Sequence, residues 1–317
     1  MNFKNKNYNY NRNDIMRSES VNLNDLDIQI VSDLHIEYKN NSIPDPLKYI
    51  KPVSKILILA GDIGSLYKIE QLKGFLNKLC IYFEIVLYVP GNHEYYMQHD
   101  VNCDPQSLDE LNDRLYGLEN EIENLYILNR KSIIIKDICI SGCTLWTKID
   151  MKIPKFIVRI NDMNTNLYNQ LHYNDLKYIN NMVDYCNKKK LKLVVITHHC
   201  PSFDIMENTY KTISDGRENI KKRDKFVSLY FSNLNHLLYK NKINTWICGH
   251  IHQNFDFITK NGTRLVGNQY GKPKDNIDDY SKEFIVRIKN DIEKLNELII
   301  NNEEFIQNNI EQEIFAS

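Results

Sequence analysis

Five short apolar runs divide the chain: DIQIVS (27–32), KILILA (55–60), EIVLYV (84–89), KLVVIT (192–197) and NTWIC (244–248). Runs of this length, rich in Ile, Val and Leu and closed by polar or glycine-containing turns, read as largely buried β-strands. Stretches at 66–80, 106–122, 171–189 and 224–240 lie between or beside them and read as helices. Strands alternating with helices point to an α/β protein. The segment LYILNRKSIIIKDICISGCTLW (125–146) differs, because its strand signals come one after another with few helix signals between. Residues 254–258, 263–267 and 283–288 read the same way. These extra strands call for a mixed sheet or a second sheet.

Composition narrows the function classes. With 317 residues and 42% hydrophobic content, the chain can bury a sizeable core. Lysine and arginine number 40 against 41 acidic residues, so no global field draws it onto nucleic acid or an anionic membrane. The cysteines at 80, 103, 139, 143, 186, 200 and 248 are scattered and form no CxxC pair. That pattern predicts unpaired thiols in a reducing compartment. The opening MNFKNKNYNYNRND has no apolar leader core, and no later run approaches the roughly 18 apolar residues of a membrane span. The expectation is a soluble cytoplasmic protein. Residues 1–26, rich in Asn, Lys and Tyr, offer too little aliphatic surface to offset the entropy of ordering and are expected to be a disordered tail. A single domain is expected over 27–289. Over 290–317, Ile292, Leu295, Ile299, Ile306 and Ile310 recur near helical spacing, predicting an amphipathic helix that docks on its own domain.

The chemistry lies at the end of each strand. The first run leads into SDLH, with Asp33 and His35; the second into AGDIG, with Asp62; the third into VPGNHE, with Asn92, His93 and Glu94. The fourth leads into THHCPS, with His198 and His199, and the fifth into CGHIH, with His250 and His252. Residues two apart in a strand share a side, so strand alternation would turn His250 and His252 toward one point. Taken singly, an Asp beside a Gly is an ordinary turn, and two histidines fall short of a metal site, which usually takes at least three protein ligands. Five strands that all end in oxygen or imidazole donors are another matter. Open α/β sheets gather their ligands beyond the carboxyl ends of the strands, so these five tips form the expected rim of one metal site.

The ordered blocks D-x-H, G-D, G-N-H-E, H-H and G-H-x-H, spread over roughly 28–270, resemble the calcineurin-like metallophosphoesterase superfamily. The resemblance implies a four-layer α/β/β/α sandwich with two mixed β-sheets packed face to face. It also implies a dinuclear centre in which Asp33, His35 and His252 hold one metal, Asn92, His198 and His250 hold the other, and Asp62 bridges them. Ligation by carboxylate, amide and imidazole without thiolate suits two divalent ions, with manganese first and iron, zinc or magnesium as alternatives. The implied reaction is hydrolysis of a phosphomonoester or phosphodiester by in-line attack of a hydroxide bridging the metals. His93 would protonate the leaving oxygen, with Glu94 or Glu37 orienting it. His199 would support a ligand, touch substrate or simply pack beside His198.

Departures from the family bear on the substrate. Its protein phosphatases carry an Asp-Arg pair after the second block and an Arg before G-N-H; here those stretches read GDIGSLYKIE and YVPGNHE. A dedicated protein phosphatase of that branch is therefore not expected. Arg159, Arg217 and Lys272 are the candidates for gripping the phosphate. The alternatives from other classes are a catalytically silent scaffold of the same fold, which would normally have lost ligands this chain keeps, and a nuclease, which would normally add a basic groove. Phosphate-cradling motifs of the GxGxxG and GxxxxGK[ST] types are absent, and Cys200 reads as a small packed side chain.

Overall fold

The computed structural model describes residues 25–212 and 224–289. The expected tail over 1–26, apart from its last two residues, the expected helix over 290–317, and Arg217 lie outside them. Within the described residues the strands are β1 (Leu26–Val31), β2 (Ile56–Ala60), β3 (Ile85–Val89), β4 (Leu125–Ile127), β5 (Lys131–Ile135), β6 (Ile138–Cys143), β7 (Lys192–Thr197), β8 (Thr245–Ile247), β9 (Phe255–Ile258), β10 (Arg264–Gly267) and β11 (Ile285–Ile288). The helices are α1 (Ile69–Cys80), α2 (Leu108–Glu121), α3 (Thr165–Lys189) and α4 (Asp204–Thr212).

Two sheets result. One runs β11-β1-β2-β3-β4 and the other β5-β6-β7-β8-β10-β9. In the first, β1 to β4 pair in parallel, with Ile30 opposite Ile58 and Leu59 opposite Tyr88. In the second, β6, β7, β8 and β10 are parallel, flanked by the antiparallel edges β5 and β9. The strand-rich segment 125–146 is thus shared: β4 ends the first sheet and the hairpin β5–β6 opens the second.

Burial on both faces comes from the layering. Leu57, Leu59, Val86 and Tyr88 join Leu72, Phe75, Leu76 and Leu79 of α1 and Leu111, Leu115 and Leu118 of α2 in one core. The alternate residues Ile58, Leu87 and Val89 are equally inaccessible but lie outside that core, as expected of side chains facing a second sheet. The two sheets meet closely at Gly142 of β6, where a Cβ would lie 2.6 Å from Val89 Cγ2 and 2.7 Å from Leu128 Cβ. Helix α3 covers β6 and β7 through Ile179, Met182, Val183 and Cys186. The architecture is the four-layer α/β/β/α sandwich with two mixed sheets.

Three elements differ from the sequence reading. The helix expected over 224–240 is replaced by 3-10 turns at Asp224–Leu229 and Asn235–Leu237. Its apolar spacing is real, but the backbone between those turns pairs with 200–201 instead: Ser232 N–H donates to Cys200 O at 2.9 Å and Leu234 N–H to Pro201 O at 2.9 Å. Helix α4 is absent from the sequence reading, although Ser202 Oγ accepts the Asp204 N–H at 3.0 Å in the manner of a start signal. Helix α3 begins at Thr165, earlier than the 171 read from the sequence, because the Asn164 side chain accepts from Leu167 N–H at 3.0 Å.

Candidate metal centre

The strand tips converge, and the backbone bends sharply to bring them together. Asp33, His35, Asp62, His250 and His252 all adopt positive φ, between 48° and 77°, a region side-chain-bearing residues enter mainly where surrounding structure enforces it. This corrects one step of the sequence reading. Strand alternation does not orient His250 and His252, since β8 ends at Ile247; the two left-handed residues do. Glycines make the close approaches possible. Gly61, at φ +87°, leaves no room for a Cβ, which would sit 2.4 Å from His198 Nδ1. At Gly249 a Cβ would lie 2.5 Å from Asp33 Oδ2.

Among the described residues three groups of possible donors form: His35, Glu37 and His93 make one, and the other two have Asp62 in common. Of those two, Asp33, His35, Asp62 and His252 make one, and Asp62, His198 and His250 the other, the donor atoms of each lying within 4.8 Å of one another. In the group with Asp33, His35 Nε2 lies 3.0 Å from His252 Nε2 and 3.7 Å from Asp62 Oδ2, while His252 Nε2 lies 3.4 Å from Asp33 Oδ1. In the group with His198, its Nε2 lies 3.0 Å from Asn92 Oδ1, 3.3 Å from Asp62 Oδ1 and 3.1 Å from His250 Nδ1. All seven side chains expected as ligands are therefore gathered. Asp33 is further held by the His250 N–H, 3.0 Å from Oδ1, and by the Ser32 hydroxyl. Asp62 Oδ1 accepts the His93 N–H at 2.8 Å.

The donor chemistry fits divalent cations. His198 Nδ1 faces the carbonyl of Ala60 at 3.0 Å, which can only accept, so that nitrogen carries the hydrogen and Nε2 turns a lone pair inward. His35 Nδ1 and His252 Nδ1 are tied outward in the same way, to Glu37 Oε1 at 3.0 Å and Asp275 Oδ2 at 2.5 Å. What these three rings turn inward is then a set of nitrogen lone pairs, packed at contact distance among the oxygens of Asp33, Asp62 and Asn92. Protonation relieves this crowding where no cation is bound. Burial works to lower the His198 pKa, but the Asp62 and Asp33 carboxylates carry it up to about 9. Burial likewise works to raise Asp62, yet His198 and His93 hold it well below the usual carboxylate range. A pair of divalent cations resolves the same repulsion, and the donor set is that of a dinuclear divalent metal site.

Around this cluster the remaining residues sort themselves. Of the two glutamates considered for His93, Glu37 is the partner: its Oε1 lies 3.0 Å from His93 Nδ1 and also from His35 Nδ1. Glu94, fully buried, accepts N–H bonds from Asp62, Ile63 and Gly91 at 2.7–3.0 Å and the Tyr88 hydroxyl at 2.6 Å. It pins the loop carrying Asp62. Burial and the Asp62 carboxylate raise its pKa to about 8, while every donor around it favours the ionised form. His93 is buried, and burial takes its pKa down to about 4 against the opposing pull of Asp62 and Glu37. His199 Nδ1 meets Thr144 O at 3.2 Å and its ring lies 4.2 Å from that of His250. Cys200 is buried, its sulfur 3.8 Å from that of Cys248.

Above the cluster lies a cavity of about 270 Å³ whose walls include His93, His199, Arg159 and Lys272. Two of the three candidate phosphate-gripping cations thus reach the site. Sequence reading does not single out Asp275, Tyr38, Tyr96 or Tyr230, which sit in loops and turns and carry no motif. The signal that could have found one of them is position: Tyr96 lies two residues beyond the G-N-H-E block.

Comparison with known proteins agrees with this geometry. The family model for calcineurin-like phosphoesterases matches residues 26–254. A curated relative, uncharacterized protein L509 of Acanthamoeba polyphaga mimivirus, is 28% identical over 272 residues, covering 77% of this chain and 90% of that protein. Among solved structures, the phosphopantetheinyl hydrolase PptH of Mycobacterium tuberculosis superposes with a TM-score of 0.61 at 13% identity, over 84% of this chain and 96% of its own, and so shares the fold. A dimetal phosphatase from Danio rerio is also similar, with a TM-score of 0.41 at 11% identity, over 76% of this chain and 86% of its own. With the matched region spanning every strand tip from Asp33 to His252, the chain belongs to the calcineurin-like phosphoesterase family.

Proposed function

We propose that this protein hydrolyses a phosphomonoester or phosphodiester with the help of two divalent cations, one held by Asp33, His35 and His252, the other by Asn92, His198 and His250, with Asp62 shared. The observation that carries the reading is the division of the Asp62 carboxylate: Oδ2 faces His35 at 3.7 Å and Oδ1 faces His198 at 3.3 Å. When bound, such a pair of cations supplies Lewis acidity and an activated water near neutral pH. The chain's own residues do the rest. Arg159 and Lys272, at the cavity wall, bind the anionic phosphate. Glu37 holds His93 through Nδ1, leaving Nε2 as the nitrogen available to the leaving oxygen. The arriving phosphate adds a further negative group to Asp62 and Glu37 beside the imidazole and so favours its protonated form, from which the proton passes to the departing alkoxide. Manganese is the first metal to test. All seven cysteines carry free thiols, which supports a place in the reducing cytoplasm.

The test is Asp62→Asn. Elemental analysis of the purified variant is expected to find well below two metals per chain, with turnover of p-nitrophenyl phosphate and bis-p-nitrophenyl phosphate lost in the presence of Mn, Fe, Zn or Mg. Two tightly held metals in this variant would refute the shared carboxylate.

A further inference from the structure

The cavity over the two donor groups has unlike sides. Near His93 it is polar and cationic: the Tyr96 ring lies 4.9 Å from the His93 ring, and the Arg159 guanidinium sits 5.6 Å above Tyr96 and beside the Tyr38 hydroxyl. Met97 N–H donates to Arg159 O at 3.0 Å, fixing that loop against the segment after His93. Near His250, beyond the His199 imidazole, the wall is aromatic and aliphatic. The Tyr230 ring lies 4.9 Å from His250, Leu229 is buried beside it, and Phe156 stands 76% exposed at the mouth with its ring 6.0 Å from that of Phe226.

This asymmetry discriminates between phosphoester classes. If the leaving oxygen points toward His93, the other oxygens on phosphorus spread across the cavity floor. In a monoester they share two negative charges, and any of them turned to the apolar side loses water without gaining a donor. In a diester one of those oxygens carries a second organic arm and no charge. An exposed phenylalanine on the same side offers that arm a flat apolar seat, and covering it removes its surface from water.

We propose that the substrate is a phosphodiester whose retained arm carries a flat apolar group seated on Phe156, Leu229 and Tyr230, a proposal that rests on the phosphoesterase reading above. The reaction consumes one water. Its oxygen bonds to phosphorus as the bond to the leaving arm breaks, one of its protons ends on the departing alcohol, and the other stays with the phosphomonoester product or passes to solvent.

Three substrates with one leaving group test this on the full chain with two metals bound: p-nitrophenyl phosphate, methyl p-nitrophenyl phosphate and phenyl p-nitrophenyl phosphate. Because p-nitrophenolate departs from each, kcat/KM reports the retained arm. Both diesters are expected to exceed the monoester, and the phenyl diester to exceed the methyl diester by about tenfold or more, the discrimination an apolar subsite supplies. Phe156→Ala, at an exposed position that folding does not depend on, is expected to bring the phenyl-to-methyl ratio down toward one. A wild-type ratio within twofold, or a monoester preferred over both diesters, overturns the proposal and leaves the phosphoesterase reading standing. Failure to cleave any of the three with two metals bound per chain overturns both.

Discussion

One oxygen of Glu37 serves two imidazoles, His35 and His93, each at 3.0 Å from its Nδ1. The same carboxylate therefore orients a proposed metal ligand and the proposed proton donor, while His93 itself touches the centre through its backbone N–H to Asp62. Removing the His93 ring should spare the metals and damage the chemistry. His93→Ala is expected to keep close to two metals per chain and to lower kcat by about 10² to 10⁴. The loss should be smaller for p-nitrophenyl esters, whose phenolate departs without a proton, than for alkyl esters, whose alkoxide needs one. Metal loss comparable to that of Asp62→Asn would make His93 a structural residue. An equal loss across leaving groups would assign it to phosphate binding.

At the scale of elements, the site depends on how tightly the ends of β1 and β8 abut. Gly249 lies just past β8, and a Cβ there would meet Asp33 Oδ2 at 2.5 Å and Ser32 Oγ at 2.7 Å. Neither neighbour can yield without shifting a donor. Gly249→Ala is accordingly expected to fold, with unchanged far-ultraviolet circular dichroism, but to bind metal about 10- to 100-fold more weakly, the range seen when the surroundings of a ligand are disturbed. Titration with Mn while following activity checks this, and wild-type affinity would show that the β1 tip can move aside. Helix α2 provides the contrast, because it lies in the layer behind the sheet. Ser107 begins it with a capping box, its Oγ accepting from Glu110 N–H at 3.2 Å and Glu110 returning a bond to the Ser107 N–H at 2.7 Å. Ser107→Ala should cost about 1 kcal/mol, a fall of about 2–4 °C in melting temperature for a domain of this size, with turnover unchanged. A loss of activity without a loss of stability would mean that α2 communicates with the site.

For the molecule as a whole, residues Asp27–Ile288 form a single compact unit whose two sheets bring their tips to one place, so metals bound there would clamp the sheets together as well as supply chemistry. Asp33, His35, Asp62 and Asn92 come from the first sheet, His198, His250 and His252 from the second. Cations that bind only the folded chain stabilise it by mass action, by about 2.7 kcal/mol per site at a hundredfold excess over Kd. With both sites filled, a rise of about 10–20 °C in melting temperature is expected on adding Mn to the chelator-treated protein, and most of it should vanish in Asp62→Asn. An unchanged melting temperature at saturating metal would separate metal binding from the fold. Among the described residues no helix is long and apolar enough to cross a membrane.

Much of this was legible in the chain by itself because it is written in local terms. Strands buried on both faces, such as KILILA and KLVVIT, need apolar side chains at every position, and that need shows as continuous runs. Donor side chains must come directly after those runs, which places Asp33, Asp62, Asn92, His198 and His250 in short blocks that resemble a known family. Where tertiary contacts set the outcome, the chain was silent or misleading. The stretch 224–240 has helical spacing, yet its backbone found partners at 200–201. Asp275 meets His252 from 23 residues away, and Glu37 rather than Glu94 reaches His93 because the left-handed turn at His35 swings it inward while Glu94 is consumed by backbone N–H groups. The division of the cavity into a cationic and an apolar side arises only when loops around 156–159 and 226–230 meet over the strand tips. Local pattern determined which residues could bind metal; long-range packing decided which groups surround them.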